Sequence, residues 1–364
     1  MRRSLMTRAT IVAATASLGL ITAGTAAQAA PAPHWQVSYR SHSATAGPLQ
    51  SVTAPGKNDA WAVGITGSGT SARPLVLHWN GSAWSKQAMP AGFLPAAVMS
   101  SSTHNVWIFE ASGDEAMVFD GSSWHATTVP DDLTPGAVLG ASNVWGTTGS
   151  TCTGGNDAIC TTTVWHWDGT AWASSEVDGL YQGFAGAGSH AWLLVLTGLR
   201  GFSSGDPTGA PVIYRTTGAT LAKVAAPAQR VWEFASLAAS PGGQVWLVGS
   251  PGYNKNAALL FHWTGRTWTR AKVPATVSSE PLAVEFALTY DGHDGFWAGP
   301  YAHWTGAKWI NADQVGALPG SDTFALIGMA VIPGSPSIWG VGWVGRSATN
   351  ATQDSLIAVY GGTP

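Results

Sequence analysis

Short apolar runs recur along the chain, each bounded by glycine, proline, asparagine or aspartate and each centred on one tryptophan among small or β-branched residues. They read Ala60-Trp61-Ala62-Val63-Gly64, Val106-Trp107-Ile108, Val144-Trp145-Gly146, Ala191-Trp192-Leu193, Val245-Trp246-Leu247-Val248-Gly249, Phe296-Trp297-Ala298-Gly299 and Ile338-Trp339-Gly340-Val341-Gly342. Successive tryptophans are 46, 38, 47, 54, 51 and 42 residues apart. Runs this short and apolar on both faces suit strands buried between neighbours rather than helices. The spacing leaves room for four strands with their turns.

A second signature follows each run: an aromatic residue, a turn, glycine, two residues and tryptophan. The copies are His78-Trp79-Asn80-Gly81-Ser82-Ala83-Trp84, Phe119-Asp120-Gly121-Ser122-Ser123-Trp124, Trp167-Asp168-Gly169-Thr170-Ala171-Trp172, Trp263-Thr264-Gly265-Arg266-Thr267-Trp268 and Trp304-Thr305-Gly306-Ala307-Lys308-Trp309. Asn-Gly and Asp-Gly point to tight hairpins with positive φ at both central residues. The fourth copy is degenerate: Tyr214 opens it and Leu221 stands in place of the tryptophan. In the first copy the strands are expected at residues 49–54 (A), 60–64 (B), 74–79 (C) and 83–89 (D).

Seven such units predict an all-β fold, a seven-bladed β-propeller of four-stranded antiparallel blades. The seventh unit ends after Tyr360-Gly361-Gly362 without a fourth strand, while His34-Trp35-Gln36-Val37-Ser38-Tyr39-Arg40 is a D-type strand with no unit before it. The N-terminal strand is therefore expected to complete the last blade and cover both open edges.

The pairing of Asn58-Asp59-Ala60-Trp61-Ala62-Val63-Gly64 with the 78–84 hairpin resembles the D-V-W-A-V-G and H-W-N-G-T-S-W repeat of exported bacterial β-propeller proteins, loosely similar to kelch and galactose-oxidase-type propellers. The resemblance spans essentially all of residues 30–364 and implies architecture rather than activity. Asp120 and Asp168 directly precede glycine, unlike the Asp box of sialidase-type propellers.

Ahead of the repeats, Arg2, Arg3 and Arg8 precede an apolar stretch ending in Ala27-Gln28-Ala29. This is the pattern of a signal peptide over residues 1–29, cleaved near Ala29, with Sec export favoured over the twin-arginine route. The expected product is a secreted, extracellular monomer without membrane insertion. Cys152 and Cys160, the only cysteines, flank a Gly-Gly-Asn-Asp turn and read as a disulfide in an exported chain. Charged residues make up only 10% of the chain, and loss of the three leader arginines takes the net charge from −3 to −6. A nucleic-acid partner is excluded by that balance.

Candidate chemistry is sparse. Seventeen of the 20 tryptophans repeat in register and read as packing between blades. Trp165, Trp232 and Trp343 fall outside the register, Trp165 as the opening of strand C in the third unit. In an up-and-down blade, B–C loops and D-to-A crossings share one end of the ring, so these three are expected at the loop-rich end. There they form a candidate ligand-binding set with Arg230 and Glu233. His78, His166, His262 and His303 repeat in register and read as structural. No zinc spacing, cofactor motif or catalytic residue is assigned. Gly201-Phe202-Ser203-Ser204-Gly205 matches a nucleophile motif without the strand-to-helix context it needs. Asp291-Gly292-His293-Asp294-Gly295 reads as turn chemistry. Asp131-Asp132 has no opposing carboxylate legible in the sequence. The expected role is non-catalytic: a binding or scaffold propeller that recognises a cell-envelope polymer, glycan or protein through the loop-rich end. A lectin with aromatic platforms and a glycan-acting hydrolase are the alternatives.

Overall fold

Strand geometry follows the tryptophan runs closely. In the first blade the strands are Leu49–Gly56, Asp59–Thr66, Arg73–Trp79 and Trp84–Gln87, so A and B run further than the pattern predicts and D ends earlier. The protein is described by a computed structural model covering residues 33–41, 47–204, 208–231, 233–250, 259–273, 288–300, 302–312, 323–345 and 353–362. Among these residues there are seven sheets, each of four strands in antiparallel order. The last sheet joins Thr323–Val331, Ile338–Gly345 and Gln353–Tyr360 to the N-terminal strand Trp35–Arg40, which pairs with Gln353–Tyr360 from Trp35↔Tyr360 to Arg40↔Leu356. Each innermost strand lies against the innermost strand of the next blade, and the seventh returns to the first. The structure is thus a seven-bladed β-propeller closed by its N-terminal strand.

Its core is divided. Seven apolar clusters lie between the seven pairs of neighbouring sheets. All seven strand-B tryptophans are buried, and each reaches forward into the next blade. The Trp61 ring meets Phe119 and Trp124, Trp107 meets Trp167 and Trp172, and Trp339 meets Trp79 and Trp84. Edge-to-face geometry dominates, as the ring quadrupole favours.

The in-register histidines back these rings from within their own blade. His78 stacks on Trp61 at 4.0 Å, His262 on Trp246 at 4.7 Å and His303 on Trp297 at 4.4 Å, while His166 lies tilted against Trp145 at 4.3 Å. Each Nε2 is held by the A–B turn, through Asp59, Asn143, Gln244 and Asp291 respectively. Their role is structural.

Two expectations change. The Asn-Gly and Asp-Gly hairpins are four-residue loops, not two-residue turns with paired positive φ: Trp79 pairs directly with Trp84 and Trp167 with Trp172. Only the glycine takes positive φ, at 92° for Gly81 and 101° for Gly169. The Asp168 carboxylate instead accepts the amides of Thr170 and Ala171, the closure an Asx turn provides. These bonds, the Ala171 amide foremost, lower its pKa to about 2. In the fourth blade, Trp192 pairs with Arg215, so Arg215 and not Tyr214 marks the hairpin register. Arg215 takes the histidine's place, its guanidinium 5.6 Å from the centre of the Trp192 ring. Thr216 replaces the aromatic and Leu221 replaces the outer tryptophan across a tight turn at Gly218-Ala219.

Among the described residues, six innermost strands share a bulge at an equivalent position, as at Gln50, Ala96 and Gly136. A small residue follows each bulge and lets neighbouring inner strands approach. Ser51 accepts the Val98 amide at 3.1 Å, and Ser236 accepts the Leu288 amide at 2.7 Å.

Candidate functional site

Two hairpins dominate the loop-rich end. In the third blade, strands B and C run Asn143–Thr153 and Ile159–Trp167; in the fourth, His190–Arg200 and Thr208–Thr217. Both are longer than their counterparts in the first blade, and both break register where they leave the ring, between Thr147 and Ser150 and between Thr197 and Arg200. Gly149 and Gly198, with φ of 90° and 55°, supply the backbone freedom at these breaks. Bulges of this kind re-aim a strand.

The third-blade hairpin carries the Cys152–Cys160 disulfide across directly opposed residues. The tip leans on the fourth blade: the Asn156 carbonyl accepts the Phe202 amide at 3.1 Å, and the Asn156 side chain accepts the Ser203 hydroxyl. Ser203 is therefore an inter-hairpin contact. Below, Thr162 donates to the Gly179 carbonyl at 2.7 Å, and Ser150 accepts the Tyr181 amide at 2.8 Å. Burial pushes the Tyr181 phenol up to about 12.

Between the hairpins lies a cavity of about 550 Å³. Its polar wall includes Asp157, Asp178, Arg200 and Arg230, and its apolar wall includes Leu196 and Leu199. Ile159 stands on the rim, 73% exposed. Arg230 is anchored through Nη2, which donates to the carbonyls of Thr208, at 2.7 Å, and Gly198. A smaller cavity of about 150 Å³ at the same end brings Glu110 and Glu115 beside Asp132. Asp132 takes a positive φ of 55°, and its amide donates to the Gly113 carbonyl at 3.2 Å. Glu110 and Glu115 flank the B–C turn of the second blade and Asp132 lies on the crossing to the third, a juxtaposition that residue spacing does not encode.

Of the sequence-selected residues, Arg230 lies in the larger cavity. Trp165 does not open strand C. It is the seventh residue of Ile159–Trp167, because the disulfide hairpin extends that strand outward. Paired with Gly146 and Ser174, it packs against the core between the second and third blades, and its Nε1 donates to Thr148 at 3.2 Å. Trp343 is half-buried in the seventh blade, paired with Ala325 and Ser355. These two rings belong to separate blades and form no common platform. Trp232 lies outside the described residues, as does the side chain of Glu233, whose backbone pairs with Ser250.

Other constellations resolve into turns. Ser123, His125 and Asp120 meet on an exposed loop, but Ser123 Oγ and Asp120 Oδ2 both contact His125 Nε2, at 3.0 and 2.8 Å. A relay needs the two partners on different ring nitrogens. Asp291 accepts the His293 and Gly295 amides and the His303 ring, which accounts for both its oxygens. Among the described residues no group of His, Cys, Asp and Glu is arranged to hold a metal ion, and no helix is long and apolar enough to cross a membrane.

No protein-family model matches the chain, and no curated protein matches it in sequence. Solved structures match in fold. A catalytically inactive virginiamycin B lyase from Staphylococcus aureus with quinupristin has a TM-score of 0.54 at 14% identity, covering 89% of this chain and 99% of that one. YCF48 bound to a D1 peptide gives 0.51 at 13% identity, with 90% and 96% covered. The propeller domain of the Trilobed protease from Pyrococcus furiosus gives 0.51 at 11% identity, with 87% and 96% covered. At these identities the likeness is one of fold.

Proposed function

We propose that this chain is an exported, non-catalytic binding or scaffold propeller of the bacterial type its repeats resemble, and that it holds a cell-envelope, glycan or protein ligand at its loop-rich end. The cavity of about 550 Å³ between the third- and fourth-blade hairpins carries this reading. It lies within the range of roughly 300–1,000 Å³ typical of ligand sites. Its walls come from loops held on a rigid ring, the usual division between scaffold and recognition surface. The disulfide is compatible with an oxidising, extracellular setting. The fold neighbours include a lyase and a peptide-bound protein, so fold by itself does not select the role.

The protein recovered from an exporting host, probed on an array of glycans, cell-wall polysaccharides and peptides, is expected to bind a restricted set. Asp157→Trp, which fills the cavity from the hairpin tip, is expected to abolish that binding without lowering thermal stability. Silence across the array, or binding indifferent to this substitution, overturns the reading. Intact mass of the exported protein checks cleavage near Ala29.

A further inference from the structure

The charges around the larger cavity are sorted by blade. Asp157 sits at the tip of the third-blade hairpin and Asp178 at the end of that blade's outer strand. Arg200 ends strand B of the fourth blade, and Arg230 lies on the crossing that leaves it. Acids thus line one side and arginines the other. Among the described residues, no ion pair within 4.0 Å joins these acids to these arginines. Opposite charges held apart across a concave site attract a ligand that carries both signs, each placed against its complement. A neutral ligand of the same size strips water from four ionised groups and gives no charge in return.

We infer that this cavity takes a zwitterionic, peptide-type ligand, its free amine against Asp157 and Asp178 and its carboxylate against Arg200 and Arg230. Arg230 is set for the carboxylate. With Nη2 committed to two backbone carbonyls, the guanidinium plane is fixed, and no described residue accepts from Nη1 or Nε. A planar donor group already held in place loses little freedom on taking up a carboxylate. Ala158, Leu196 and Leu199 supply a buried apolar wall, and exposed Ile159 extends it to the rim, so a small aliphatic side chain between the charged ends is accommodated. The lining acids and arginines balance, which favours a dipolar ligand over a polyanion or a polycation.

The inference rests on the loop-rich end being the binding end, and its test separates the two ideas. The full chain is titrated calorimetrically with the tripeptide Ala-Leu-Ala, its N-acetylated and C-amidated forms, and the doubly blocked form. The free peptide is expected to bind, and blocking either end to weaken binding tenfold or more. Arg200→Ala is expected to lower severalfold only the discrimination against the amide, and Asp178→Asn only the discrimination against the acetyl group. Both residues are exposed, and unchanged circular dichroism and melting temperature control for folding. Equal affinity for all four peptides, or no binding of any, overturns the inference. If array ligands still depend on the open cavity in that case, the binding reading stands and only the ligand class falls. If they ignore Asp157→Trp, the binding reading falls by itself.

Discussion

Gly169 has no room for a methyl group. A Cβ there lies 2.8 Å from the Ser142 Cβ, and the backbone holds φ at 101°. Gly169→Ala is expected to cost about 1–3 kcal/mol, read as a lower urea midpoint with an unchanged slope. Two of the histidines behind the tryptophans, His166 and His262, are disfavoured in their charged form. Burial lowers the pKa of His262 below its ordinary 6.5 and does the same for His166, partly offset by the nearby Asp168. Between the folded value and 6.5 the unfolded chain therefore binds more protons. The stabilisation is complete above 6.5 and is lost as pH falls through the folded value. The urea midpoint is expected to drop between pH 7.5 and 5.5, and His262→Gln to flatten that drop; an unchanged pH dependence in the variant removes His262 from the account.

Among the elements, the blades were legible because each carries its own tryptophan on its second strand, and a repeat in register needs no distant information. The four-residue loops and the displaced register of the fourth blade were not. An Asx turn and a type I′ turn both call for Asx-Gly, and only the pairing of Trp79 with Trp84 tells them apart. Arg215 substitutes for histidine by stacking on Trp192, a chemical equivalence hidden from a pattern of aromatic letters. The expected place of Trp165 at the opening of strand C failed for a related reason, since strand length near the disulfide cannot be counted from the turn residues. That disulfide closes a short loop, its cysteines eight residues apart. Replacing both with serine is expected to cost about 2.5 kcal/mol on loop-closure grounds. The contact between the Asn156 carbonyl and the Phe202 amide should loosen with it. Hydrogen exchange at Phe202, faster in the double variant than in the parent, checks this; equal protection shows that the hairpin holds without its bridge.

For the whole molecule, the ring was legible because two incomplete units stood at opposite ends of one repeat series. The cavity was legible only as a direction. Loop placement gave the end of the ring, but Asp157, Asp178, Arg200 and Arg230 meet through the curvature of the blades, which no local pattern encodes. Closure itself depends on more than strand pairing. Arg40 Nε donates to Asp354 Oδ2 at 3.1 Å, with Asp354 fully buried, and Ser41 and Ser355 exchange two further bonds. Trp35 Nε1 reaches the Pro300 carbonyl of the sixth blade at 2.9 Å. Asp354→Ala is expected to destabilise by about 3–5 kcal/mol by removing the buried carboxylate that Arg40 pairs with, while Arg40→Met with Asp354→Leu costs less than the sum of the single changes. Additive losses in that cycle exclude coupling between the two.

The strand Trp35–Arg40 is made before the strands of the first blade, and the strand it pairs with, Gln353–Tyr360, comes some three hundred positions later. Until then it waits unpaired, and so does the edge it will cover. The same register is available between two chains as within one. Refolding at rising concentration is therefore expected to convert part of the material into dimers that trade these strands, kinetically trapped once formed and resolved from monomer by size exclusion. The feature that seals the ring also sets a race between a chain and its neighbours, won by dilution.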